Sequence, residues 1–157
     1  MLPFFEWCEA TSIGAAIRES LWLFPVIESF HLLALALIGG MVLLVDLRLL
    51  GWGLRSRPSS ELAREAEPWL VGGLAVMIVS GFLLFTSESI KCYYSPAFWT
   101  KMTALVPALV FTFTLRRKAA MRGEDALRPV WRRLAAAVSL SLWTIVGASG
   151  RWIGFSG

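Results

Sequence analysis

Glu28 and His31 stand three residues apart inside VIESFHLLALALIGGMVLLVDLRLLG, residues 26–51, a run long and apolar enough to cross a bilayer. His31 is the one histidine of the chain. A carboxylate and an imidazole at that spacing share a helix face, where they could ligate a metal or haem iron, relay protons, or pair with a cation from another segment. Lys101 and Arg151 are the cations that other apolar runs supply, and Glu88 ends a further one. A charge at the bilayer centre costs about 2.5–3.5 kcal/mol on insertion scales, so such groups turn toward a bundle interior or a cavity.

The elements that must position these groups follow from composition. Of 157 residues, 57% are hydrophobic and the mean hydropathy is +0.65, well above the roughly 45–50% apolar share of soluble domains. The chain has room for about four spanning helices and short loops, not for a separate soluble domain. It reads as an all-α, integral-membrane four-helix bundle, one transmembrane domain over residues 1–157, with a short N-terminal interfacial helix carrying Phe4, Phe5 and Trp7. The expected spans are about 22–49, 68–88, 97–115 and 133–153. Pro68 suits a first helical turn, and Pro107 a bend. The N-terminus lacks the basic region that opens a secretory signal, so it is expected to be retained.

Basic residues set the orientation, because cytoplasmic loops retain Lys and Arg. Arg55, Arg57 and Arg64 lie in the first connection, with Arg48 at its edge; Arg116, Arg117, Lys118, Arg122, Arg128, Arg132 and Arg133 lie in the third. Both termini and residues 88–96 are therefore expected outside, in the periplasm or exterior of a bacterial inner membrane. Tryptophans agree: Trp7, Trp22, Trp99 and Trp152 fall at the outer boundary and Trp52, Trp69 and Trp131 at the inner one, leaving only Trp143 mid-span. The net charge of +4 belongs to lipid headgroups rather than nucleic acid, since the basic residues sit in short blocks between apolar runs.

In that topology Glu28, His31, Lys101 and Arg151 all belong to the outer half. Eighteen residues make about five helical turns, so Asp46 falls below Glu28, with Gly39 near the same line and His31 about 60° away; one inward stripe carries all four, while Arg48 points elsewhere, free to snorkel to inner headgroups. Gly73 and Ser80 share a face of the second span, and Gly147 lies four residues before Arg151; small residues let helices approach closely in lipid. The expected site is an outer-half pocket of Glu28, His31, Lys101 and Arg151, which requires the first and third spans not to lie on opposite sides of the bundle. His31 could be a haem ligand within it; with no second histidine, Met77 or Met102 could be the other axial ligand, or the site could be five-coordinate. The bland alternative is that the charges neutralise one another and pin the bundle. Cys8 and Cys92 both fall on the oxidising side, where they are either a disulfide or two free thiols.

Several phrases, FPVIESFHLLALALIGG, VDLRLLG, EPWLVGG, SGFLLF, PAFWTKM and GASGRWIGF, resemble an uncharacterised family of small bacterial inner-membrane proteins across most of the chain. A more distant similarity, through His31 and the aromatic-x-Lys of Trp99 and Lys101, is to the membrane-type protoporphyrinogen oxidase and copper-resistance D-type membrane proteins. That similarity implies a redox protein binding haem b or a porphyrin, with His31 as ligand and Lys101 near the bound group. FTFTLRR stands where that pattern has further histidines.

The leading functional reading is a pocket for haem, a porphyrin or a quinone-like redox partner. The competing one is a non-enzymatic membrane component, either a proton, ion or small-molecule transport element or a scaffold subunit working as a homo-oligomer or with a membrane partner. The topology is checked by reporter fusions. A reporter active only outside the cytoplasm is expected to work after Gly157 and within residues 88–96, and to be silent within residues 116–133; the reverse pattern inverts the assignment.

Overall fold

The computed structural model describes residues 1–53, 56–122 and 128–155; Arg55, counted above among the basic loop residues, lies outside them. It is all-α, and four of its helices are long and apolar enough to cross a membrane. Two short helices, α1 (Leu2–Glu9) and α2 (Ser12–Glu19), precede the first span, α3 (Leu23–Leu50). The second span is α4 (Ser59–Ser87), followed by the short α5 (Ser89–Tyr94). The third comprises α6 (Pro96–Phe111), a π turn (Thr112–Arg116) and α7 (Arg117–Met121), and the fourth is α8 (Pro129–Phe155).

Around the bundle α4 packs on α3, α3 on α8 and α8 on α6. The first and third spans are therefore diagonal. The last side is the most loosely closed: α4 meets α7 at one end and α6 through the stacked Phe85 and Phe98 at the other, with little packing between α4 and α6 elsewhere among the described residues. The apolar core is a layer of Ala34, Ile38 and Val42 from α3, Leu70, Leu74 and Met77 from α4, Ala108 from α6, and Trp143 and Val146 from α8. Gly73 lets α4 close on α3, since a Cβ there would sit 3.0 Å from Ile38 Cγ1. Gly147, by contrast, faces open space, and the glycine of α8 in close contact is Gly150.

Several boundaries differ from the sequence expectation for local reasons. The N-terminal segment is two helices, because the Thr11 side chain caps α2 by accepting from the Gly14 N–H. α4 starts nine residues before Pro68, so that proline is inside the helix rather than in its first turn. The extra turns are amphipathic: Leu62 and Ala66 are buried, while Arg57 holds Glu61 at 2.6 Å and Glu65 at 2.9 Å. The third span runs on to Met121 because the π turn carries the helix past Phe111. α3 ends at Gly51, whose φ of +83° is open to glycine, with the Trp52 N–H returning to Leu47 O at 2.9 Å.

The buried face of α3 keeps part of the expected Glu28–His31–Gly39–Asp46 stripe. It runs down the His31 line through Ile38, Val42, Val45 and Leu49 and includes Asp46, about 60° from the Glu28–Gly39 edge on a 3.6-residue helix. Gly39 is consequently exposed. Asp46 is fully buried because Arg116 reaches it, Nε donating to Oδ1 at 2.6 Å and Nη2 to Val42 O at 3.1 Å. Arg116, read from sequence as a loop cation, is thus an internal residue at 6% exposure, brought inward at the end of the π turn. Arg48 is buried too and does not snorkel; its Nε donates to Arg57 O at 2.7 Å. Trp143 alone of the eight tryptophans is buried, its Nε1–H donating to Thr112 Oγ1 at 3.0 Å. The other seven are exposed, as residues of the two interfaces should be.

Removing one partner of a buried ion pair leaves the other uncompensated, typically at about 3–5 kcal/mol. Arg116→Met should therefore strongly lower the thermal unfolding midpoint in detergent. The double variant Arg116→Met, Asp46→Asn should recover most of that loss, and failure to recover would mean that the pair is not coupled.

Candidate functional site

A cavity of about 430 Å³ occupies the half of the bundle expected to be the outer one, beneath α1, α2 and α5, and all four long helices contribute to its wall. Glu28 and His31 enter it from α3, Lys101 from α6 and Arg151 from α8. Diagonal placement of α3 and α6 does not separate these residues, because the cavity fills the space between the diagonal helices. Glu88 joins them from the end of α4, where it pairs with Lys91 at 3.6 Å. Glu28 and Lys101 have no ion pair within 4 Å among the described residues. Mutual neutralisation therefore does not account for those two side chains.

His31 is held in one orientation by α4. Its Nδ1 lies 3.0 Å from Ser80 Oγ, and Ser80 Oγ lies 2.6 Å from the Val76 carbonyl four residues back. Two oxygens that close need a proton between them, and the carbonyl has none, so the single Ser80 hydroxyl proton is committed to Val76 O. Ser80 can then only accept from His31, which makes Nδ1 the donor and leaves Nε2 of the neutral ring with a bare lone pair. Gly81 gives the ring its place: a Cβ there would sit 3.1 Å from His31 Cε1. Lys101 is close enough for its charge to act on the ring, and its stem runs past Gly150, where a built Cβ would be 3.6 Å from Cε.

Aromatic rings close the outer end of the cavity. Phe85 and Phe98, both in its wall, stack at 5.8 Å, and Phe5 of α1 backs Phe85 at 5.5 Å and Tyr93 at 5.1 Å. α1 and α2 are fixed over this end, with Glu9 accepting from the Ile90 N–H at 2.7 Å and Arg18 donating to Ser87 O at 3.1 Å. Gly14 lies against the Thr86 carbonyl so closely that any side chain would collide with it. The side facing lipid is different: Ile78 and Phe82 line the cavity and are also 57% and 63% exposed. Leu32 of α3 and Arg151 of α8 line it and are exposed as well, so the cavity reaches the surface of the bundle.

Cys92 lines the cavity and Cys8 is buried in α1; both are free thiols. Burial, aided by the Glu88 charge, pushes the Cys92 thiol up to about 11, so it is protonated at neutral pH and is not a thiolate ligand there. No group of three His, Cys, Asp or Glu side chains among the described residues could hold a metal ion. Gly81, Gly150 and the Ser80–Val76 relay were not identified as site features from sequence. Ser80 did stand out as a small residue on the α4 contact face, but its partner depends on which helix packs there.

Residues 4–156 match the model of a family of unknown function, DUF6644. The chain belongs to this family. No curated protein and no solved structure matches it. The match supports the resemblance to an uncharacterised family; the more distant similarity to the oxidase and copper-resistance proteins gains nothing from these comparisons.

Because His31 is the sole histidine, its ring nitrogens can be read without assignment. In histidine-labelled protein at pH 8, nitrogen NMR should show a protonated Nδ1 and a bare Nε2. Gly81→Ala should shift both signals by displacing the ring, and Ser80→Ala should mix the tautomers. A protonated Nε2 in the unaltered protein would refute the hydrogen-bond assignment.

Proposed function

We propose that this membrane protein binds a lipid-soluble, ring-containing redox molecule, a quinone-like compound or a porphyrin such as haem b, in its outer-half cavity. The observation that carries the reading is the cavity itself: about 430 Å³ lined by all four long apolar helices, reaching exposed apolar surface at Ile78 and Phe82, with His31 and Lys101 in its wall. Its polar groups are few and its walls largely aromatic and aliphatic, the usual makeup of a small-molecule site. On the orientation argued from the basic loops, the cavity lies on the periplasmic or exterior side of a bacterial inner membrane.

The residues present can accommodate a haem. A metal-binding imidazole normally donates its other ring N–H to a fixed acceptor, as His31 does to Ser80. His31 would hold the iron, while Lys101 and Arg151 would face the carboxylates; bound haem would supply one-electron chemistry. Transport is less well supported. Beyond the cavity, Ile38, Val42, Leu74, Ala108 and Val146 form a packed apolar layer before the Asp46–Arg116 pair, leaving no polar stepping stone between the halves among the described residues. The buried inner pair does the structural work that the scaffold reading assigns to such charges.

A visible spectrum of the purified protein, before and after adding haem, tests the haem form. A Soret band that shifts or disappears in His31→Ala supports it. No band even with added haem removes haem and leaves the quinone-like form, which should raise the unfolding midpoint on titration with a short-chain quinone or quinol. If neither haem, protoporphyrin, quinone nor quinol binds, the ligand-binding reading fails.

A further inference from the structure

We infer that the cavity selects a quinol, the reduced dihydroxy form of a quinone, through a hydroxyl donated to His31 Nε2. This rests on the cavity being a ligand site. The deciding feature is the chain Val76 O, Ser80 Oγ, His31 Nδ1, in which each link fixes the direction of the next. With Nδ1–H spent on Ser80, the neutral imidazole can only accept at Nε2. A histidine with an ordinary value near 6.5 is neutral at pH 8, so whatever meets Nε2 there must bring a proton. A quinol hydroxyl does; a quinone carbonyl would set one lone pair against another.

Lys101, from the diagonal helix, supplies the complementary group. Its ammonium can only donate, so it suits a second oxygen that accepts, and a quinol oxygen accepts as well as donates. The carboxylates of Glu28 and Glu88 and the cations of Lys101 and Arg151 line the same cavity, two of each sign, so its wall carries no formal excess charge and suits a neutral ligand. Phe82, Phe85 and Phe98 provide flat walls for a ring, and the exposed apolar side chains of Ile78 and Phe82 at the cavity's edge let an apolar tail remain in lipid. A donor, an acceptor and a ring in one neutral, lipid-soluble molecule describe a quinol.

Equilibrium binding to the full-length protein at pH 8 tests this with a short-chain quinol, the matching quinone and the quinol di-O-methyl ether. The quinol is expected to bind roughly tenfold more tightly than either, the scale of one hydrogen bond in a buried site. His31→Phe should erase that preference while the ether still binds, and Ser80→Ala should reduce it by freeing the tautomer. Equal affinity for quinol and ether, or an undiminished preference in His31→Phe, overturns the inference but leaves a binding cavity. Failure of all three compounds, haem and protoporphyrin overturns the cavity reading as well.

Discussion

Two buried charges in the inner half of the bundle have to meet, and much of the architecture follows from that requirement. Asp46 on α3 is fully buried, and Arg116 is the cation that reaches it, at 2.6 Å. In a bilayer neither charge has water to fall back on, so the third span must deliver Arg116 to α3. The π turn over Thr112–Arg116 ends on that residue, and Trp143 is anchored to the same turn through Thr112. Ser59 of α4 adds a further link at this end, donating to Ala120 O at 3.2 Å. Closed in this way at one end, the ring of helices packs loosely between α4 and α6 until the stacked Phe85 and Phe98 join them at the other.

The outer half makes the opposite use of ionisable residues. There the charged side chains are spread around a cavity instead of collapsed into one pair, and the fixed contact is a neutral one, His31 to Ser80. The glycine beside Ser80 and the back-bonded hydroxyl determine where the imidazole lies and which nitrogen is left to a ligand. The aromatic cluster and the two N-terminal helices cover this half from above, and the exposed lining residues Leu32, Ile78 and Phe82 lie on the sides of the bundle. An apolar layer one residue thick or more in every helix separates the two halves, which is why they can follow different electrostatic rules.

Much of this was legible from the residues alone. Four apolar runs of spanning length fix a four-helix membrane bundle, because a backbone in hydrocarbon must satisfy its own hydrogen bonds and helices do so locally. The gathering of Glu28, His31, Lys101 and Arg151 in one outer half likewise follows from counting residues along each run. The interfacial tryptophans could be named for the same reason, their depth being set by sequence distance from each span's end.

What sequence distance cannot supply is azimuth and neighbour. Of the stripe drawn through Glu28, His31, Gly39 and Asp46, the His31 line and Asp46 follow the buried face while Gly39 is exposed, since only packing selects which edge of a stripe is covered. Arg116 and Arg48 looked like loop and headgroup cations, yet both are buried; one has Asp46 across the bundle and the other the carbonyl of Arg57. The tautomer of His31 required a third-residue fact, that the Ser80 proton is already given to Val76. Composition and periodicity thus determined that this chain carries four helices long and apolar enough to cross a membrane, with ionisable residues gathered toward one end. Only the packing of helix against helix decided which charges are spent on one another, which ring nitrogen is left over, and that those residues share one cavity.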